Sequence, residues 1–189
     1  MMARQRHPKH CTPGIVDQAR ELAKKKSLGL HLRADVLSVA ANCARATPAV
    51  DKDLLALDEL TQQHANPTRN FELMIFAARL ALAGGRYEPL YRLTHQPGFL
   101  RRYQRLGPDL TAAALLLFHA SAAGAGKPSQ ADETAASRRL VCSTFAEPRR
   151  ATMCNVIGQL TDEKTANPPA VAKDALQRFV EEALRPGGS

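Results

Sequence analysis

Tryptophan is absent from this chain of 189 residues, and aromatic side chains make up only 5% of it. With so few large rings, a core has to be assembled from aliphatic side chains. Runs of Val, Ile and Thr are scarce as well, and alanine and leucine carry most of the apolar content. Ala and Leu enter helices at little cost, whereas β-branched residues fit strands better, so the balance favours helix. One short strand candidate stands out, LVCSTF at 140–145. No apolar run approaches the roughly 18 residues that crossing a bilayer needs, and the first residues lack the apolar stretch of a secretory signal. The expectation is a soluble, all-α protein, a helical bundle or a short stack of helical hairpins, long enough to bury one sizeable core.

Cysteine is sparse and awkwardly spaced. Cys11, Cys43, Cys142 and Cys154 are separated by 32, 99 and 12 residues, and no CxxC pair occurs. That excludes zinc-ribbon and thioredoxin-type arrangements. So few cysteines in a chain of this length point to free thiols in a reducing compartment, the cytoplasm or an organelle matrix. His7, His10 and Cys11 are metal-ligating types, but Pro8 interrupts them and a fourth ligand is missing. Neither a metal nor a cofactor is expected.

Catalytic signatures are missing too. GAGKPS at 124–129 fails as a phosphate loop, because Ser121 stands at the first glycine position, Pro128 at the Ser/Thr position, and a helix precedes it. His119, inside LLLFHAS, reads as a satisfied core histidine. His64 and His95 lie near predicted helix ends, where a cation is favourable against the helix dipole. None of them has an Asp or Cys partner close in sequence, so no catalytic residue is assigned and a non-enzymatic protein is expected.

What the chain does have is positive charge, 26 Lys and Arg against 18 Asp and Glu, for a net +8. Such a surplus favours RNA, DNA, an acidic membrane surface or an acidic protein. It is steepest over residues 1–33, where eight basic residues meet two acids. This segment is expected to be a basic N-terminal arm with a short helix from about Val16 to Lys26, and Arg4, Arg6, Lys9, Lys24, Lys25 and Lys26 are its candidate phosphate contacts. A basic, acid-poor leader also suits organelle targeting or a solvated tail.

Residues 34–165 read as the helical core. Asp35 is placed to cap a helix running to about Ala46. The next starts near Asp51 and buries Leu54, Leu55, Leu57 and Leu60. Thr68 caps Phe71–Ala83, which Gly84 and Gly85 close. Short helices follow over Arg86–Thr94 and Phe99–Leu106, then the alanine-rich Leu110–Ala123 behind Pro108 and Asp109, then 131–145 and Pro148–Leu160. A last amphipathic helix, Ala170–Leu184, falls in the C-terminal segment 166–189 and presents Val171, Ala175, Leu176, Phe179, Val180 and Leu184.

Three breakers, Thr47-Pro48, Gly84-Gly85 and Gly124-Ala125-Gly126, recur about 37 and 40 residues apart, each behind a helix of small apolar residues. Periods of this size belong to arrays of helical hairpins. Around Leu80–Leu90 the chain resembles the tetratricopeptide pattern, with Gly85 and Tyr87 as its Gly-x-Tyr turn. The resemblance covers about one repeat and departs from the pattern at Leu90, where the family prefers alanine. It implies a curved helical stack that binds peptides or RNA.

The stretch Phe71–Arg105 joins the longest apolar helix to a basic, aromatic patch holding every tyrosine of the chain. Tyr87, Tyr91 and Tyr103 stand among Arg86, Arg92, Arg101, Arg102 and Arg105, with Glu88 the single acid between Arg86 and Arg105. Tyr87 and Tyr91, Phe99 and Tyr103, and Arg101 and Arg105 are i,i+4 pairs that share helix faces. Guanidinium forks bind phosphates and aromatic faces stack on unpaired bases. The patch is therefore the candidate nucleic-acid surface, with RNA or a ribonucleoprotein as the expected partner. The alternative expectation is an adaptor that holds an acidic protein or peptide between stacked hairpins.

Overall fold

A computed structural model describes residues 11–44, 47–64, 67–128, 135, 138–139, 141–143, 149–162 and 167–184. Among these residues no strand occurs; residues 135, 138–139 and 141–143 are helical, and nine further helices have described bounds. They are α1 (Pro13–Lys24), α2 (Leu30–Ala44), α3 (Val50–His64), α4 (Pro67–Gly84), α5 (Tyr87–Thr94), α6 (Phe99–Gln104), α7 (Pro108–Ala125), α8 (Arg149–Thr161) and α9 (Pro168–Leu184). The strand candidate at 140–145 is corrected where it is described, since residues 141–143 are helical. The all-α class stands.

The chain divides into two compact units, Met1–Leu73 and Met74–Ser189, with the division inside α4. Within the first unit α1 (from Pro13) packs on α2, and within the second α9 packs on α7. In the first unit α1 lies on α2, and α2 on α3. Thr12 caps α1 through its side chain, whose Oγ1 accepts from the Ile15 amide at 3.3 Å, and Pro13 supplies a preset first turn. Ala19 and Ala23 of α1 and Ala34, Ala40, Ala41 and Ala44 of α2 are buried, so small side chains line these helices. Arg33 donates from Nε to the Ala23 carbonyl at 2.6 Å, taking up one of the oxygens left open at the end of α1. Thus only residues 1–10 of the expected arm lie outside the described residues; from Pro13 it is part of the unit. Asp35 sits within α2 rather than at its start, and α4 likewise begins one residue before Thr68.

In the second unit α5, α6, α8 and α9 all pack on α7, and α8 also meets α9. Both α4 and α7 end on a left-handed glycine, Gly85 (φ 59°) and Gly126 (φ 64°). The following amides reach back five residues, Arg86 N to Ala81 O at 3.2 Å and Lys127 N to Ala122 O at 2.9 Å. Two of the three breakers seen in the sequence are therefore the same C-terminal cap. Gly124, two residues before that cap, lies directly against the Tyr87 ring, leaving no room for a Cβ.

All four cysteines are paired, Cys11 with Cys43 in the first unit and Cys142 with Cys154 in the second. The expectation of free thiols is overturned. Spacings of 32 and 12 residues say nothing about pairing; the fold brings the start of α1 beside the last turn of α2, and 142 beside α8. Cys11 is thereby committed and unavailable as a metal ligand beside His7 and His10, which lie outside the described residues.

Two outcomes follow from this packing. Gly124→Ala should destabilise the protein by about 2–3 kcal/mol, as overpacking against a ring does, whereas Gly126→Ala, with open space around it, should cost only about 1 kcal/mol of backbone strain; urea unfolding measures both. Alkylation under non-reducing, denaturing conditions should add no label, with an intact mass lighter by the four hydrogens of two disulfides. Losing the Cys11–Cys43 link should cost about 3–4 kcal/mol on the chain-entropy scale, read as a lower Tm of a Cys11→Ser/Cys43→Ser variant with the second disulfide intact.

Candidate nucleic-acid interface

The arginines and tyrosines of the patch are carried by α5, α6 and the turns beside them, and the fold separates them by depth. On α6, Phe99 and Tyr103 are 2% and 1% exposed and meet at 4.7 Å between ring centroids. Arg101 and Arg105 are exposed one turn apart. Arg102 is half-buried with its guanidinium 5.7 Å from the centre of the Phe99 ring. Tyr103 is a core residue, so it offers no face to a base.

On α5, Tyr87 is half-buried over Gly124, and burial raises its hydroxyl pKa above the usual tyrosine value. Tyr91 stacks on His95 at 3.9 Å, and the Lys127 ammonium stands 4.5 Å from the Tyr91 ring centre. The π surface of Tyr91 already has two partners. Lys127 also bonds Glu88 at 2.7 Å, and Arg92 bonds Glu88 at 3.1 Å. These contacts hold the Glu88 carboxyl below its ordinary pKa, Lys127 being the larger cause. Arg86 is half-buried and engaged in contacts of its own. The surface that results is arginine-rich, with its rings facing inward, rather than a stacking platform.

The remaining candidates lie elsewhere. Lys24, Lys25 and Lys26 are exposed at the end of α1, in the first unit, with Lys24 bonded to Glu21 at 2.6 Å. Arg4, Arg6 and Lys9 lie outside the described residues.

Behind the arginines sits a polar cluster that sequence reading did not assemble. His95 is sandwiched, its second face stacked on Phe118 at 3.8 Å. His119 meets the edge of the same Phe118 at 5.4 Å. His95 Nδ1 lies 3.0 Å from the Tyr91 carbonyl and 3.0 Å from Thr94 Oγ1, which is 2.8 Å from Ser121 Oγ. A hydroxyl–hydroxyl–imidazole chain invites a nucleophile reading, but Thr94 and Ser121 are both 0% exposed. Here the chain ties α5 to α7. It also ends any phosphate-loop reading of 121–128, since Ser121 is inside a helix and Lys127 is committed to Glu88.

Both histidines are held near pKa 4, below the ordinary 6.5. For His95, burial is the main cause and Lys127 adds to it; for His119, burial leads, followed by His95 and Arg138. A cation between two rings gains about 0.5–2 kcal/mol, yet desolvation and neighbouring positive charge outweigh that here. The expected cationic His95 at a helix end is therefore corrected to a neutral ring. His119 is core as expected but not satisfied, since neither ring nitrogen has a hydrogen-bond partner. The side chain of His64 lies outside the described residues.

The first unit holds one further feature, a groove of about 870 Å³ between α1 and α3 over α2. Ala23, Leu37, Ala56 and Leu60 line it. Arg20 grips the buried Asp53 with two bonds, Nε at 2.9 Å and Nη2 at 2.7 Å, and the Lys24–Glu21 pair lines the same groove. Arg33 and Lys52 are offset there by Asp17 and Glu59. Four cations against four carboxylates leave the groove neutral, so it does not select an anion.

Comparison of the chain with protein-family models, curated proteins and solved structures finds no match. Among the described residues, no three His, Cys, Asp or Glu side chains are placed to hold a metal ion. No helix there is long and apolar enough to cross a membrane.

Asp53→Ala should remove both bonds from a guanidinium that still reaches water and cost about 1–3 kcal/mol. Asp53→Asn, which keeps the shape and one acceptor, should cost less; paired urea titrations separate the two.

Proposed function

We propose that this protein binds a polyanion, RNA or the RNA of a ribonucleoprotein, through the arginine face of α5 and α6. The observation that supports this most directly is the division of labour on α6. Phe99 and Tyr103 anchor the helix in the core, and Arg101 and Arg105 are thereby held outward, side by side, on a short and well-fixed element. Guanidinium groups carried on a fixed backbone have only side-chain freedom to lose on meeting phosphate oxygens, less than those on a free tail. Because the tyrosines are turned to the fold, contact is with phosphates rather than bases, and it carries little sequence preference. Exposed Lys25 and Lys26, and the basic residues 1–10, add further charge of the same sign without being needed to define the face.

A second reading, an adaptor that holds a partner peptide or helix, is favoured by the groove of the first unit, with its aliphatic floor and internally paired walls. The tetratricopeptide-like turn at Gly85 and Tyr87 goes with that reading. The neutral groove would take a partner helix by its apolar stripe rather than by acidic charge.

Binding of a single-stranded RNA of random sequence, followed by fluorescence anisotropy from 50 to 300 mM salt, tests the first reading. Removing Arg101 and Arg105 together should weaken binding about tenfold or more at low salt and reduce the slope of log K against log salt by about 1–2. An unchanged slope with an intact helical spectrum sinks the arginine face. A protein partner retained after nuclease treatment, and lost when the half-buried groove residue Ala56 is changed to Glu with the helical spectrum intact, would move the conclusion to the adaptor.

A further inference from the structure

A buried imidazole without a hydrogen-bond partner is an expensive thing for a core to keep, and the second unit keeps one at its centre. His119 is 1% exposed, and neither of its nitrogens finds a partner. In either neutral tautomer one N–H is left without an acceptor. His95 is next to it around Phe118, and its Nε2 is buried and unpartnered as well. The two rings stand where α5 meets α7, the contact that carries Tyr91, Thr94, Phe118 and Ser121.

We propose that His95 and His119 form an acid-operated latch: neutral, they let α5 and α6 close on α7, and protonation of the pair opens that contact. The geometry offers no place for a second proton. His95 Nδ1 already donates to the Tyr91 carbonyl, and a proton on Nε2 would face no acceptor. On His119 either added proton is equally stranded.

The charges around the pair act in the same direction. Lys127, in the turn after α7, acts on His95, and Arg138, from the helical residues before α8, acts on His119. Each ring would also repel the other once charged. Glu88 is the carboxylate on α5, and it is bonded to Lys127 and Arg92. Arg101 of α6 and Arg105 at its C-terminal cap, and Lys173, Asp174, Arg178 and Glu181 of α9, are exposed. Among the described residues no carboxylate acts on either imidazole.

The sign follows from linkage. Both rings titrate near 4 when closed and near 6.5 when exposed to water. Between those values the open form binds more protons, so closure is at full strength above about pH 6.5 and weakens as pH falls towards 4. Each histidine multiplies the opening constant by up to tenfold per pH unit, and the two together by up to a hundredfold.

The tyrosines make this directly observable, because all three of them lie on α5 and α6. The full chain, disulfides intact, is titrated from pH 7.5 to 4.0 while tyrosine near-ultraviolet dichroism and far-ultraviolet dichroism are followed. The expected result is loss of the tyrosine signal between about pH 6 and 4.5, ahead of the helical signal. In the His95→Gln/His119→Leu variant that transition should vanish. Histidine proton NMR on the unaltered chain gives a check that no variant can spoil: two imidazoles should remain neutral well below pH 6 for as long as the tyrosine signal persists. A tyrosine signal unchanged down to pH 4, a transition that survives in the variant, or six histidines all titrating near 6.5 in the closed protein would each overturn the latch.

Discussion

A helix buried on every side governs the second unit. Thirteen consecutive residues of α7, Leu110–Ala122, are buried, and α5, α6, α8 and α9 all pack against it. Such a helix has no wet face on which to leave a polar group, so each polar side chain it carries must find a partner inside. Thr111 does so, donating to the Gly107 carbonyl at 2.8 Å and the Tyr103 carbonyl at 3.2 Å. Ser121 does so with the Phe118 carbonyl at 2.9 Å and with Thr94. His119 does not. The two satisfied groups fasten α6 and α5 to α7, and the unsatisfied one leaves a buried imidazole there with no bond of its own.

The outer surface inherits its order from these inner attachments. Alanines at 112, 113, 114, 120 and 122 keep α7 narrow, so neighbouring helices approach closely, and Gly124 extends this to the point where the Tyr87 ring lies on backbone. Rings spent on this packing cannot also stack on a ligand. The arginines interleaved with them are left outside by helical periodicity alone, since residues 101 and 105 fall on the face opposite 99 and 103. An aromatic–basic mixture in one dimension thus becomes two layers in three.

The helical content was legible because its signals are local. Pro108 opens α7 and Gly126 closes it, Pro13 follows the Thr12 cap, and the leucines of α3 fall at helical spacing with Leu54, Leu57 and Leu60 buried. Orientation was less so. Residues 110–122 are apolar almost throughout, and a helix without a polar stripe gives no hint of which side meets which neighbour. The cysteine pairs were illegible for a related reason: partners 32 residues apart are brought together by the return of α2 along α1, a fact of packing that spacing does not encode. His95 illustrates a conflict of rules. Its place at the end of α5 argues for a cation, and its burial between Tyr91 and Phe118 argues against one. Burial wins, because the dipole term is worth at most about 2 kcal/mol while a desolvated charge without an acceptor costs more.

Net charge, finally, is a poor guide to where a basic protein makes contact. The chain carries +8, yet much of its positive charge is locally spent. Arg20 is held by Asp53, Lys24 by Glu21, and Arg92 and Lys127 share Glu88. The groove of the first unit, rich in charged residues, is neutral by count. What distinguishes Arg101 and Arg105 is not their charge, which many residues share, but that the element beneath them is anchored by two buried rings. A cation on a fixed element has less backbone freedom to lose on meeting an anion than one on a free tail, which is why the proposed contact is placed there. Fixation also links the surface to the core. Because α5 and α6 are held through α7, the placing of these arginines depends on a contact that they do not themselves make, and the latch proposed for that contact would reach the surface by this route.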